Sequence, residues 1–377
     1  NTDAVDAPPP NYQKVENGLN VTNTYVIPTD GTATGNVIWV DGPRIKPMVW
    51  LKLYRVLEGG TREEVPGAGL MQLESGTTSV TWTGLEKTDI NGKPYTFSVQ
   101  EVDGTGADLT PENYRKSESG MTVTNIYVVP RKILQVTKVW EGGPEPKPTV
   151  WIMLKRRIEN GEWENIETGV EKIVPGQTSY MYGTLPATDI NGNPYIHTVE
   201  EVNQDGTPIT LPNYQIAVDG LQITNTYVIP KNGSVTATKV WDGGSEPRPT
   251  IGFRLQRQSL MVPKQFVPNV PWLKLEPGTT SVTWEGLEET DFNGNPYTFS
   301  IVELNELGGE GVPLNYTALL SADGLTMTNH YEPPQDGEVT AQVIWVNGPA
   351  VNPTVWFKLQ RSQVDTDGNV TLLEDVP

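Results

Sequence analysis

The chain has 377 residues and a formal net charge of −19, a balance that argues against a nucleic-acid backbone or an anionic membrane surface as partner. It contains no cysteine and two histidines, His197 and His330, which excludes disulfides, thiolate metal sites and cysteine nucleophiles and argues against a histidine metal site or triad. No apolar run reaches membrane-spanning length, and the abundance of glycine (37) and proline (32) suits short strands and turns without an amphipathic helix.

Taken in order, the chain repeats itself at intervals of about one hundred residues, the size of one compact domain. Residues 1–28 read as the C-terminal part of a preceding repeat, because Thr22-Asn23-Thr24-Tyr25 returns at Asn125/Tyr127, Asn225/Tyr227 and Asn329/Tyr331. The repeat 29–130 opens on Gly35-Asn36-Val37-Ile38-Trp39. A second strand follows at Val49-Trp50-Leu51 and a third near Ser79–Trp82. An Asp-x-Asn-Gly-x-Pro-Tyr turn (Asp89–Tyr95) leads into an alternating strand, Tyr95–Glu101, and a closing strand carries Asn125. The repeat 131–230 follows the same plan from Val136-Thr137-Lys138-Val139-Trp140, with its turn at Asp189–Tyr195. The repeat 231–334 has Lys239 before Trp241 and its turn at Asp291–Tyr297. Residues 335–377, with Val343-Ile344-Trp345, read as the N-terminal part of a further repeat. Several short strands with turn signals and no helix predict an all-β chain of tandem immunoglobulin-like sandwiches. The very short links between repeats favour a stiff, elongated rod.

Alternate residues on a strand share a face, so Leu134, Val136, Lys138 and Trp140 point the same way. If that face is the core, Lys138 is buried, its pKa falls, and a neutral amine becomes a nucleophile. The same alternation places Glu201, on the strand before the last, and Asn225, on the last, in core-facing rows. Lys239, Glu303 and Asn329 are the counterparts one repeat later. A buried glutamate tends to stay protonated, so it can polarise the asparagine carboxamide and shuttle protons while the amine attacks. Loss of ammonia would leave an intramolecular Lys–Asn isopeptide bond: Lys138–Asn225 and Lys239–Asn329, each assisted by its glutamate. Val37 and Val343 replace the lysine in 29–130 and 335–377, so no bond is expected there, and Glu101 and Asn125 would have to satisfy each other or a buried water.

Val-Thr-Lys-Val-Trp, Asn-Gly-x-Pro-Tyr, Thr-Val-Glu-Glu and Ile-Thr-Asn-Thr-Tyr together resemble the Cna B-type repeat of collagen-adhesin surface proteins, over the whole chain and in the same order. The resemblance implies a stalk or pilus module of Gram-positive cell-surface proteins, extracellular and attached to the cell wall. It also implies a Lys–Asn bond assisted by an acidic residue, no cofactor, and no turnover of an external substrate. Partners would then be a host extracellular protein or glycan met by the full-length protein, or further copies in a fibre. Trp50, Trp151 and Trp356 turn outward from the apolar rows that flank them. They are expected to make a contact or a cover for the sheet more than a ligand platform, although binding through them is the alternative function. Head-to-tail assembly into a filament is another. The Asp-x-Asn-Gly motif resembles part of a calcium loop but lacks the remaining ligands and reads as a tight turn. His197 is expected in or near the core, and His330 on the outward face.

Overall fold

A computed structural model describes residues 7–365 and 367–376. The described residues contain strands and turns and no α-helix. They divide into two compact units, the first running to Pro230 and including Thr290–Asn295, the second made of Lys231–Glu289 and the residues from Pro296 onward.

The chain opens on an antiparallel hairpin, β1 (Tyr12–Asn17) and β2 (Asn20–Tyr25). The first sandwich is β3 (Gly31–Val40), β4 (Val49–Val56), β5 (Glu63–Glu64), β6 (Met71–Leu73), β7 (Ser79–Leu85), β8 (Thr96–Val102), β9 (Tyr114–Ser119) and β10 (Thr122–Tyr127). The second is β11 (Arg131–Glu141), β12 (Val150–Arg157), β13 (Glu164–Ile173), β14 (Ser179–Pro186), β15 (Ile196–Val202), β16 (Tyr214–Asp219) and β17 (Gln222–Tyr227). The third is β18 (Gly233–Asp242), β19 (Ile251–Gln258), β20 (Gln265–Phe266), β21 (Leu273–Leu275), β22 (Ser281–Leu287), β23 (Thr298–Leu304), β24 (Tyr316–Leu320) and β25 (Thr326–Tyr331). A last hairpin, β26 (Gln360–Val364) with β27 (Val370–Asp375), lies near the C-terminus.

All three sandwiches share one topology. One sheet has the order β7-β3-β10-β9, repeated as β14-β11-β17-β16 and β22-β18-β25-β24. The facing sheet is centred on β4, β12 or β19, with β8, β15 or β23 on one side. The first and last strands of each sandwich are parallel neighbours, so Trp39 pairs with Asn125, Trp140 with Asn225 and Trp241 with Asn329. Alternation builds the core. Ala33 and Val37 from β3 meet Leu51 and Leu53 from β4 and Val99 from β8, and Val136, Ile152, Leu154, Val199 and Ile223 do the same one repeat on.

Two expectations are corrected. The strand that carries Glu201 is not next to last, because β16 intervenes, as β9 and β24 do in their sandwiches. These are edge strands with largely exposed side chains, so they lack the apolar row by which a strand is recognised. The run Val343–Trp345 forms no strand. In the three sandwiches the corresponding strand is held by a partner on each side, as β7 and β10 hold β3, and among the described residues no strand pairs with Val343–Trp345.

Gly35 occupies the core row where the other sandwiches have Val136 and Ala237. A Cβ there would lie 2.8 Å from Leu51 Cδ1 and 3.2 Å from the Trp82 ring. Overpacking of this kind costs about 1–3 kcal/mol. Gly35→Val is therefore expected to lower the unfolding temperature of the first sandwich, with the other transitions in a calorimetric scan unmoved.

Candidate functional site

Two elements of the topology bring the predicted trio together. Lys138 and Asn225 sit on adjacent parallel strands, β11 and β17, two residues out of register, so their side chains share the inner face. Glu201 comes from the opposite sheet, where it pairs with Ile152, and faces them across the sandwich. All three are buried, with exposures of 1%, 0% and 4%. Lys138 Nζ lies 3.6 Å from Glu201 Oε2 and Asn225 Nδ2 donates to Glu201 Oε1 at 3.0 Å. The third sandwich repeats the arrangement: Lys239 Nζ to Glu303 Oε2 is 3.6 Å, and Asn329 Nδ2 donates to Glu303 Oε1 at 2.8 Å. Each ammonium also stands over the tryptophan that closes its strand, 3.9 Å from the Trp140 ring centre and 4.4 Å from that of Trp241.

Electrostatics in these cores favour the neutral forms. Burial lowers both lysines to about 8, against the opposing pull of the glutamates. Burial likewise raises Glu201 and Glu303, against the asparagine hydrogen bonds and the lysine charges. Separations of 3.6 Å are too long for hydrogen bonds, and Glu201 Oε2, Glu303 Oε2 and both asparagine Oδ1 atoms have no hydrogen-bond partner. An amine and a carboxyl both shifted by burial toward their neutral forms, beside an unpaired carboxamide oxygen, are the ingredients of acyl transfer.

The first sandwich keeps two thirds of this set. Val37 is buried where the lysine would be, and Asn125 Nδ2 donates to Glu101 Oε2 at 2.8 Å, so the pair satisfies itself in part. Burial raises Glu101 to about 7, against the Asn125 hydrogen bond and the charge of Lys116. Sequence reasoning missed Lys116. It pairs across the ladder with Asn125, at the position of Ile216 and Ala318 in the other sandwiches. Its Nζ bonds Asp108 Oδ1 at 2.6 Å and Glu118 Oε1 at 3.0 Å and donates to the Glu101 carbonyl at 3.3 Å. Burial works against its charge, but Asp108 and Glu118 outweigh that and raise its pKa. A cation absent from the core thus reappears at its rim, where two carboxylates keep it charged.

The outward tryptophans divide. Trp50 and Trp151 are half-buried, and a Cβ on Gly104 would come within 3.3 Å of the Trp50 ring. The third sandwich has Gly252 at this position, and Trp272 from the loop before β21 lies over it and over Gly308. Trp356 is 91% exposed, outside any strand. His197 is half-buried beside the Tyr195 ring, with burial lowering it to about 4. His330 is exposed, its Nδ1 2.8 Å from Asp242 Oδ2. In the Asp189 turn the carboxylate accepts from the Asn191 and Asn193 backbone N–H groups at 2.9 and 2.8 Å.

A model of the Cna protein B-type domain matches residues 38–126 and 134–226. Collagen adhesin from Staphylococcus aureus is 28% identical over 339 residues, covering 86% of this chain and 26% of the adhesin; the chain thus spans about a quarter of that relative. Among solved structures, two B repeat units of the collagen binding protein of Staphylococcus aureus cover 85% of this chain and 80% of their own at 22% identity, with a TM-score of 0.34. The pilus adhesin SpaC from Lactobacillus rhamnosus GG covers 90% of this chain and 49% of its own at 12% identity, with a TM-score of 0.20.

The elevated pKa of Glu101 has a consequence for stability. Its folded value of about 7 stands above the ordinary 4.5, so the folded state binds the extra proton between those limits. The stability this contributes is complete below pH 4.5 and is lost as pH rises through 7. Shifts of this size correspond to about 3 kcal/mol. The first sandwich should unfold at lower temperature at pH 8 than at pH 5, and Glu101→Gln should flatten that dependence in calorimetry.

Proposed function

We propose, from the match of residues 38–126 and 134–226 to the Cna protein B-type domain, that the chain is a run of stalk modules in an extracellular, wall-attached adhesin or pilus-like protein, two of them crosslinked internally. The observation that carries the reading is the convergence, in the second and third sandwiches, of a buried amine and a buried carboxamide on one buried glutamic acid. Lys138 Nζ, neutral, attacks Asn225 Cγ and a C–N bond forms. With the amide turned, Glu201 donates its proton to Oδ1 in the approach and so stabilises the tetrahedral intermediate. The proton lost by the amine passes through the carboxylate to Nδ2, the C–Nδ2 bond breaks, ammonia leaves, and the Oδ1 proton returns to the carboxylate as the C=O bond re-forms. Glu201 ends as it began, and the product is a Lys–Asn amide. Lys239, Glu303 and Asn329 carry the same sequence of steps.

Position gives the bond its mechanical meaning. Tension applied at Arg131 and Tyr227 would run along β11 to Lys138, through the amide to Asn225 and out along β17, leaving residues 139–224 outside the load path. A closed loop of about a hundred residues is also worth ~4–5 kcal/mol on the chain-entropy estimate made for disulfides. Similarity to a collagen adhesin supports a host-facing role for the full-length protein, and the modules act in it as spacers. Trp50 and Trp151 serve this reading as covers of their own sheets.

Intact-protein mass is expected to fall below the sequence value by two molecules of ammonia. Glu201→Ala and Glu303→Ala should each restore one, and digestion should yield a branched peptide joining Lys138 to Asn225. A mass equal to the plain sequence would overturn the crosslink. Val37→Lys combined with Lys116→Ile gives the first sandwich the residues of the second at both positions. That variant is expected to lose a third ammonia.

A further inference from the structure

The Asp-x-Asn-Gly-x-Pro-Tyr turn does more than reverse the chain. Around Asp189 it is braced from within by three bonds to one carboxylate, from the Asn191 and Asn193 backbone and from Asn193 Nδ2. Its outer side is Thr188, the Ile190 carbonyl and Gly192, and all three meet the first sandwich. Thr188 Oγ1 is 2.9 Å from Tyr127 Oη, at the end of β10. Gly42 N donates to Ile190 O at 2.8 Å. A Cβ on Gly192 would lie 2.5 Å from Pro43 Cγ and Cδ. The receiving side is equally specific: Asp41 and Gly42 are in the left-handed region (φ 60° and 82°), and a Cβ on Gly42 would meet the Tyr127 ring at 2.9 Å. The tyrosine–threonine contact occurs twice more within the same compact unit, as Tyr25 with Thr88 at 2.9 Å and Tyr227 with Thr290 at 3.0 Å.

We propose that this turn is a joint-forming surface whose partner is the preceding copy of the same repeat. It seats on the last strand's tyrosine and on the glycine-bearing loop after the first strand, and so fixes the orientation of the second sandwich on the first. The joint consists of neutral hydrogen bonds and close contact between backbone and small side chains, so salt leaves it intact. It depends on Gly192 twice: for its left-handed backbone and for the absence of a side chain against Pro43.

The cysteine-free chain allows a direct test with spin labels at Thr83→Cys and Thr184→Cys, exposed positions on the two sandwiches, read by double electron–electron resonance. The parent should give a narrow distance distribution at low and high salt, and Gly192→Ala a distinctly broader one. Gly92→Ala is the control, since Gly92 has the same conformation (φ 79° against 78°) but meets only the Tyr25 ring, at 3.8 Å; its distribution should stay narrow. Thr188→Val, which leaves the turn glycine untouched, should also broaden the distribution and keeps the test open if Gly192→Ala unfolds the second sandwich. A parent as broad as the variants, or Gly192→Ala and Thr188→Val both as narrow as the parent, would overturn the proposal.

Discussion

Everything distinctive in this chain follows from removing charged and polar groups from water inside a small β-sandwich. A lone buried carboxyl or ammonium is too costly to keep ionised, and each sandwich answers that constraint with the same glutamate–asparagine pair. What varies is the third member. The second and third sandwiches place an amine in the core and drive it, with the glutamate, toward neutrality. The first omits the amine, fills its volume with Val37, and leaves Glu101 with Asn125 as its close partner. Its cation sits at the rim on Lys116, near enough to act on Glu101 and close enough to Asp108 and Glu118 to stay charged.

Much of this was legible in the sequence, because strand alternation is a strict code. Once Lys138 is assigned to the row of Val136 and Trp140, its burial follows, and the hundred-residue repeat supplies an independent second copy. The parts that were not legible have physical reasons. Edge strands such as Tyr214–Asp219 expose most of their side chains and carry no apolar row. Lys116 is invisible to a reading along one strand; it emerges only when β9 is laid against β10 and its position is compared with Ile216 and Ala318. The turn around Asp189 was recognised as a turn, but its outward contacts belong to a neighbouring repeat, which local pattern cannot reveal.

The tryptophans show how a structural need can be met from different places in the chain. Trp50 covers its sheet from the middle of β4. In the third sandwich the strand position is Gly252, and the indole arrives from Trp272 in a loop. A comparison column by column would record a lost tryptophan, whereas the packing records a relocated one. The preserved quantity is the shielded patch of sheet, not the residue number.

The parallel pairing of first and last strands sets where the chain enters each sandwich and where it leaves. Because β11 and β17 run side by side in the same direction, the polypeptide goes in at one end of the sandwich and comes out at the other. No connection has to return along the outside. Each repeat therefore behaves as a self-contained insert: a copy can be duplicated or deleted in the gene without rerouting its neighbours. The number of repeats becomes a quantity that recombination can adjust, independently of the fold of any one of them.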